Sequence, residues 1–311
     1  MPSDLTHNPQ SAHSGFGVVF GAGGAGAMRV ALPVLAGEER EDIFNGLAEL
    51  PSQAGFRLWQ RGGLLVGAID EPAGADLGGQ AHDIYARLLT LARGRRLVRV
   101  WNYVPRINEP DATGLENYRA FCRGRSLAFE AEIGGGYREH LPAASAVGGV
   151  DGRLAVIFAA TLDEPLHFEN AEQVPAYEYP PEHGPRPPSF ARATRVEAEG
   201  ARYFFVSGTA AIKGHATVAT GDLAGQIECT LDNLRIVSRA CGLGDALGKG
   251  DGRLTRFFKI YLRHAEDLPA AQAALGGRLF GTADHVTWLE SDICREALLI
   301  EIEATLVGRA G

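Results

Sequence analysis

Apolar positions recur along this chain with two periods, and each period predicts a different element. In 79–92, Ile84, Leu88, Leu89 and Leu91 fall at helical spacing, so the segment reads as an amphipathic helix. Further helices are predicted over 39–47, 115–130, 223–241 and 268–275. Short or alternating runs rich in β-branched and aromatic residues predict strands at 17–20, 63–69, 97–103, 154–160, 201–207, 211–218, 254–262 and 297–307. The last run alternates through Leu299, Glu301, Glu303 and Thr305, which puts both glutamates on one face of a strand. Residues 1–14 are polar and read as a frayed terminus.

Glycine and proline punctuate this pattern. Gly21 to Gly26 contain GxGxxG, the spacing of a dinucleotide-binding turn. That turn has to open an amphipathic helix. Here an alternating run through Pro33 follows instead, so the segment reads as a hairpin turn between strands. Between Pro165 and Pro188 stand seven of the chain's 16 prolines, a density that neither a helix nor a central strand tolerates. The segment reads as a connection between two halves, and the halves share a layout. Leu77-Gly78-Gly79-Gln80, a helix and the strand through Val98, Trp101 and Tyr103 correspond to Leu223-Ala224-Gly225-Gln226, a helix and the strand through Phe257, Ile260 and Tyr261. A diverged duplication of a ββαβ-type unit is expected.

Composition narrows the function classes. Of 311 residues, 45% are hydrophobic and 22% charged, the balance of a soluble globular protein, and no apolar run approaches a membrane span. The first residues carry no basic stretch leading into an apolar core, so no secretory signal is expected. The formal net charge of −8 argues against nucleic acid as a partner and implies that an anionic substrate needs local arginines. Cys122, Cys229, Cys241 and Cys294 show no CxxC spacing and read as reduced thiols of a cytoplasmic protein. The nine histidines form no HxH or HxxxH pair, so no metal site is expected from spacing.

From Phe205 onward the order is a strand, the turn Ser207-Gly208-Thr209, Gly221-Asp222, Gln226, a helix with Asn233-Leu234, Lys259-Ile260-Tyr261-Leu262 and finally Ile300-Glu301-Ile302-Glu303-Ala304. Over about 105 residues this resembles the YjgF/RidA fold. Imine-hydrolysing members carry an arginine upstream of the terminal strand, and 282–288 here has none. The first half adds Val100-Trp101-Asn102-Tyr103-Val104-Pro105-Arg106-Ile107-Asn108 and a helix running from Asn117-Tyr118-Arg119 to Gly124-Arg125. With Val206-Ser207-Gly208-Thr209-Ala210 and Gly214-His215, these motifs resemble the chorismatase family over roughly residues 95–307.

The resemblance implies an α/β fold of the α+β kind with mixed sheets: two YjgF/RidA-like halves in tandem, each a mixed sheet backed by helices. The expected boundaries are 1–163, a proline-rich connection at 164–193, and 194–311 carrying the general acid. It implies an enzyme that uses no metal and no organic cofactor, works as a monomer or trimer, and takes chorismate as its small-molecule substrate. The products would be pyruvate and 3-hydroxybenzoate, with 4-hydroxybenzoate or a dihydroxycyclohexadiene carboxylate as alternatives. Enamine or imine hydrolysis of the RidA kind, and metabolite binding without catalysis, are the competing readings. Oxidoreduction based on the glycine run is the weakest.

Cleaving the enolpyruvyl ether begins with protonation of carbon, a sluggish base, so the acid must stay protonated near neutral pH. A carboxyl on an apolar strand can have its pKa raised for that purpose. Glu301, between Ile300 and Ile302, is the expected general acid and matches the family's acidic position. Cys294 lies seven residues earlier, where members of the 3-hydroxybenzoate-forming branch carry a cysteine; they also tend to a small residue at the position of Gly208. Arginine suits a carboxylate because its planar fork donates two parallel hydrogen bonds. Arg125 is the first candidate, with Tyr118 two helical turns before it on the same face. Arg202, Tyr203 and Arg263 are second candidates. Backbone N–H groups at Gly208 and Thr209 could cap an oxygen. Lys213 and His215 lie nearby and read equally well as structural or surface residues.

Overall fold

The computed structural model describes residues 15–21 and 26–310. The polar start at 1–14 and the middle of the glycine run lie outside the described residues.

Four short strands come first: β1 (Val18–Phe20), β2 (Met28–Val30), β3 (Val34–Gly37) and β4 (Arg40–Glu41). The first half continues with β5 (Ala48–Gln53), β6 (Phe56–Arg61), β7 (Leu64–Pro72), helix α1 (Leu77–Leu91), β8 (Arg96–Pro105), α2 (Asn117–Ile133), β9 (Ala143–Gly149) and β10 (Arg153–Thr161). The second contains β11 (Leu166–Phe168), β12 (Ala193–Ala198), β13 (Ala201–Thr209), the pair β14 (Ile212–Lys213) and β15 (Ala216–Thr217), and α3 (Leu223–Ala240). It ends with β16 (Thr255–Leu262), α4 (Leu268–Leu275), β17 (His285–Glu290) and β18 (Ile300–Arg309).

The pairing shows the duplication directly. One sheet runs β5-β6-β7-β10-β8-β9, the other β11-β12-β13-β18-β16-β17-β3. In each half two antiparallel strands, a helix, a strand, a helix and two more strands follow in the same order, and the penultimate strand pairs parallel to its neighbour. The local signal is shared as well. Asp76 caps α1 by accepting from the Gly79 N–H at 2.8 Å, and Asp222 caps α3 through the Gly225 N–H at 3.1 Å, so the Gly-Gln steps recognised in the sequence sit in equivalent first turns.

Helices α1 and α2 pack on the first sheet around Tyr85, Leu88, Phe121 and Phe129. Helices α3 and α4 pack on the second around Ile227, Leu234, Ala271 and Leu275. A third core joins the other faces of both sheets through Trp101, Tyr103, Ile157, Tyr203, Phe205 and Tyr261. The edge strand β9 meets the second sheet at a seam. There the Ser207 hydroxyl donates to the Ala191 carbonyl at 2.6 Å and accepts from the Ala144 N–H at 2.9 Å.

Several expectations are corrected. Residues 39–47 form no helix: Arg40 and Glu41 pair with β1, and Ile43, Phe44 and Leu47, whose spacing suggested a helix, turn into the shared core. The strands flanking the glycine run pair parallel, Val18 opposite Met28, so they do not form a hairpin. The strand expected at 211–218 is broken into β14 and β15 by Gly214 at φ +57°. Strand β17 was not anticipated, and β3 from the first part of the chain adds to the edge of the second sheet.

Candidate active site

Glu301 and Glu303 do not lie on an edge. Strand β18 sits between β13 and β16, and both side chains are buried, 3% and 2% exposed. Glu303 accepts from Arg99 at 2.6 Å, Lys259 at 2.8 Å and the Trp101 indole at 3.1 Å. Lys259 also reaches Glu41 at 2.7 Å. Burial alone would raise the Glu303 pKa, but the Lys259 and Arg99 charges outweigh it and hold the carboxyl below its ordinary value.

Glu301, two residues away, has no such cation. Burial first, and the negative charge of Glu303 second, push its pKa up to about 8 against the partial relief of Arg99. Its Oε2 lies 3.8 Å from the Cys294 sulfur. Burial, and then the carboxyl of Glu301, push the Cys294 thiol upward too, so it stays an uncharged S–H. On the other side the β13–β18 register shifts between Val206 and Thr209, and this irregularity brings Gly208 against the carboxyl. A Cβ on Gly208 would overlap Glu301 Oε1.

These groups open on a cavity of about 460 Å³ at the seam, within the ~300–1,000 Å³ range usual for small-molecule sites. Its walls come from Asn108, Glu116, Tyr118 and Arg119 in the first half and from Gly208, Thr209, Cys294, Arg295 and Glu301 in the second. The proline-rich connection supplies Tyr179, His183, Phe190 and Arg192. A smaller recess of about 30 Å³ shares Tyr118, Phe190, Gly208, Cys294 and Glu301 with this cavity and adds Arg125. Arg125 is 1% exposed, its guanidinium 5.2 Å from the Phe121 ring centre. Its Nη2 donates to the Cys122 sulfur at 3.8 Å and it shares a hydrogen bond with the Tyr85 hydroxyl, but its Nε has no partner and no carboxylate among the described residues forms a salt bridge with it. A buried cation left in this state is costly unless an anion arrives.

The structure therefore brings together Glu301, Cys294, Gly208, Thr209, Tyr118 and, behind them, Arg125. It does not bring in the other candidates. Arg202 pairs with Glu197 at 2.5 Å and lines a different surface pocket. Tyr203 is buried in the shared core, stacked on Phe205 at 5.7 Å. Arg263 binds Asp292, the Leu298 carbonyl at 2.7 Å and the Arg295 carbonyl at 3.0 Å, so it braces the loop that carries Cys294 instead of facing the cavity. Lys213 pairs with Glu172 at 3.1 Å.

Two arginines escaped the sequence reading. Arg192 donates to the Tyr179 hydroxyl at 2.8 Å and lies 5.1 Å from the Phe190 ring centre. Arg295 sits 5.3 Å from the Tyr179 ring centre and donates to the His215 carbonyl at 2.9 Å. Aromatic residues and an arginine inside a segment otherwise rich in proline were the available signal. They mark part of the segment read as a connection between the halves as a wall of the cavity.

No helix among the described residues is long and apolar enough to cross a membrane. Residues 45–160 match the family described as chorismatase FkbO/Hyg5-like, N-terminal. A Streptomyces hygroscopicus protein named 3-hydroxybenzoate synthase is 39% identical over 220 residues, 67% of this chain and 63% of that protein. A protein of the same organism named chorismatase is 42% identical over 216 residues, 67% of this chain and 60% of its own length. The matched region thus spans somewhat less than two thirds of these curated relatives. A chorismatase crystal structure at 1.08 Å superposes with a TM-score of 0.81 and 28% identity, covering 97% of this chain and 96% of its own. With the motifs of both halves, a family match in the first half and a whole-length structural match, the chain belongs to the chorismatase family.

Proposed function

We propose that this chain cleaves chorismate to pyruvate and 3-hydroxybenzoate, with Glu301 as the general acid. One observation carries the reading: a carboxyl facing a small-molecule cavity is buried without a cation and has its pKa pushed up to about 8, so it holds a proton at neutral pH. Glu301 delivers that proton to the terminal methylene of the enolpyruvyl group, and positive charge develops at the ether carbon. The carboxylate left behind faces this charge and stabilises it. Arg125 receives one substrate carboxylate, and Arg192 and Arg295 are positioned for the other. Tyr118 and the Gly208-Thr209 backbone fix the ring.

The product depends on what quenches the cation. Water gives the dihydroxy diene acid and consumes one molecule of solvent. Attack by the neighbouring ring hydroxyl leads to the aromatic acid, and that net equation consumes none: chorismate becomes pyruvate plus hydroxybenzoate, the proton added to the methylene being matched by one lost from the ring. The neutral Cys294 thiol occupies the space beside the acid where a water would otherwise stand, which favours the internal route. The relative named 3-hydroxybenzoate synthase supports the same branch. The halves 1–163 and 194–311, with 164–193 between them, are read as one catalytic unit, because the cavity draws on all three. A monomer then suffices for turnover.

The test is incubation of the purified chain with chorismate. Pyruvate is followed with lactate dehydrogenase, and ring products by chromatography against both hydroxybenzoates and the diene acid. Pyruvate with 3-hydroxybenzoate is expected. Folded protein that releases no pyruvate overturns the reaction, and pyruvate with another ring product overturns the branch.

A further inference from the structure

At the mouth of the cavity, the proline-rich connection and the turn between β14 and β15 bring three donor atoms together. His183 Nε2 lies 3.0 Å from His215 Nδ1, and Glu182 Oε1 lies 3.5 Å from the first and 3.4 Å from the second. A tetrahedral zinc ion with bonds of ~2.0–2.1 Å holds its ligands roughly 3.3–3.4 Å apart. The triangle already has nearly that size. We infer that Glu182, His183 and His215 form a binding site for one zinc ion or a comparable borderline divalent cation, accessory to the chemistry at Glu301.

The triad is held by its surroundings. The Val174 N–H donates to the Gly214 carbonyl at 3.0 Å, and the Gly214 N–H donates to the Glu172 carbonyl at 3.1 Å, so the two segments are tied together beside the site. Tyr179 packs against both imidazoles, with ring centres 5.3 Å from His183 and 6.5 Å from His215. Two neutral imidazoles and one carboxylate form a donor set that suits zinc, with the fourth position left for solvent or an anion. Glu182 and His183 also line the cavity, so the fourth position lies at its entrance. A bound ion clamps the connection onto the turn and stabilises the native state by mass action. The site does not depend on the proposed reaction, and its test reads no turnover.

The experiment titrates the chelator-treated full chain with zinc chloride by calorimetry and, in parallel, with cobalt(II), whose strong visible absorption reports tetrahedral coordination. One equivalent is expected, together with a rise in melting temperature under saturating zinc. His215→Ala removes one of three protein ligands and should weaken binding at least tenfold. Glu182→Gln changes an exposed side chain and should also weaken binding while leaving the fold intact by circular dichroism. No stoichiometric binding to the wild type overturns the site. So does binding that neither variant weakens, which would assign the ion to other residues.

Discussion

The most discriminating perturbation is to remove the proton on Glu301, by pH and by substitution. A carboxyl with a pKa of about 8 is about nine-tenths protonated at pH 7, whereas one at its ordinary 4.5 would be about 0.3% protonated. Burial and the neighbouring Glu303 charge therefore raise the fraction of acid form roughly 300-fold at neutral pH, equivalent to ~3 kcal/mol at about 1.4 kcal/mol per tenfold. The active form is the protonated one. The rate constant kcat should be flat below the pKa and fall tenfold per pH unit above it, whatever the pH does to unperturbed carboxylates. Initial rates of pyruvate formation, measured by quenched time points so that the coupling enzyme never meets the test pH, give the profile. Glu301→Gln keeps the shape and removes the acid. Its kcat should fall about 10²–10⁴-fold while KM stays within about tenfold. A profile that stays level or rises between about pH 7 and 9.5, or a glutamine variant within tenfold of wild type, would refute the assignment of Glu301 as the acid.

The same group makes a stability prediction of definite sign. The folded chain keeps a proton that the unfolded chain loses above its ordinary pKa of 4.5, so the associated stability is complete below that value and is lost as pH rises to about 8. Unfolding free energies from urea titrations should shift in favour of Glu301→Gln, relative to wild type, between about pH 5 and pH 8.5, by an amount on the order of a few kcal/mol; a constant gap would refute it. Gly208→Ala should displace the Glu301 carboxyl and cut kcat at least tenfold with little loss of folding stability, and an unchanged kcat would mean that the carboxyl has room to move. Cys294→Ala opens space for water beside the acid and should shift the ring product toward the dihydroxy diene acid; an unchanged ratio on chromatography would remove Cys294 from product control. Arg125→Met should raise the substrate KM by the ~1.5–3 kcal/mol typical of a charge-assisted hydrogen bond, and an unaltered KM would leave Arg125 a structural cation.

What the sequence could determine lay in short-range patterns. The first turns of α1 and α3 are written in Asp-Leu-x-Gly-Gln steps, because capping and helical periodicity involve neighbours along the chain. The duplication and the four helices near 79–92, 115–130, 223–241 and 268–275 were legible at that level, whereas Glu301, Cys294, Gly208, Tyr118 and Arg125 stood out through the resemblance to family motifs. Legibility failed where distant segments compete for a residue. The spacing of Ile43, Phe44 and Leu47 fits a helix, yet the aromatic core between the sheets takes those side chains and the backbone folds around them. Arg202, Tyr203 and Arg263 have the chemistry for a carboxylate, but each is already committed, to Glu197, to the core and to the loop at Asp292. The difference between Glu301 and Glu303 is of the same kind. They sit two residues apart on one strand, and only the tertiary structure decides that Lys259 and Arg99 converge on one and leave the other without a cation. Electrostatic fate depends on which charges arrive across space, and the chain's own spacing carries no record of that.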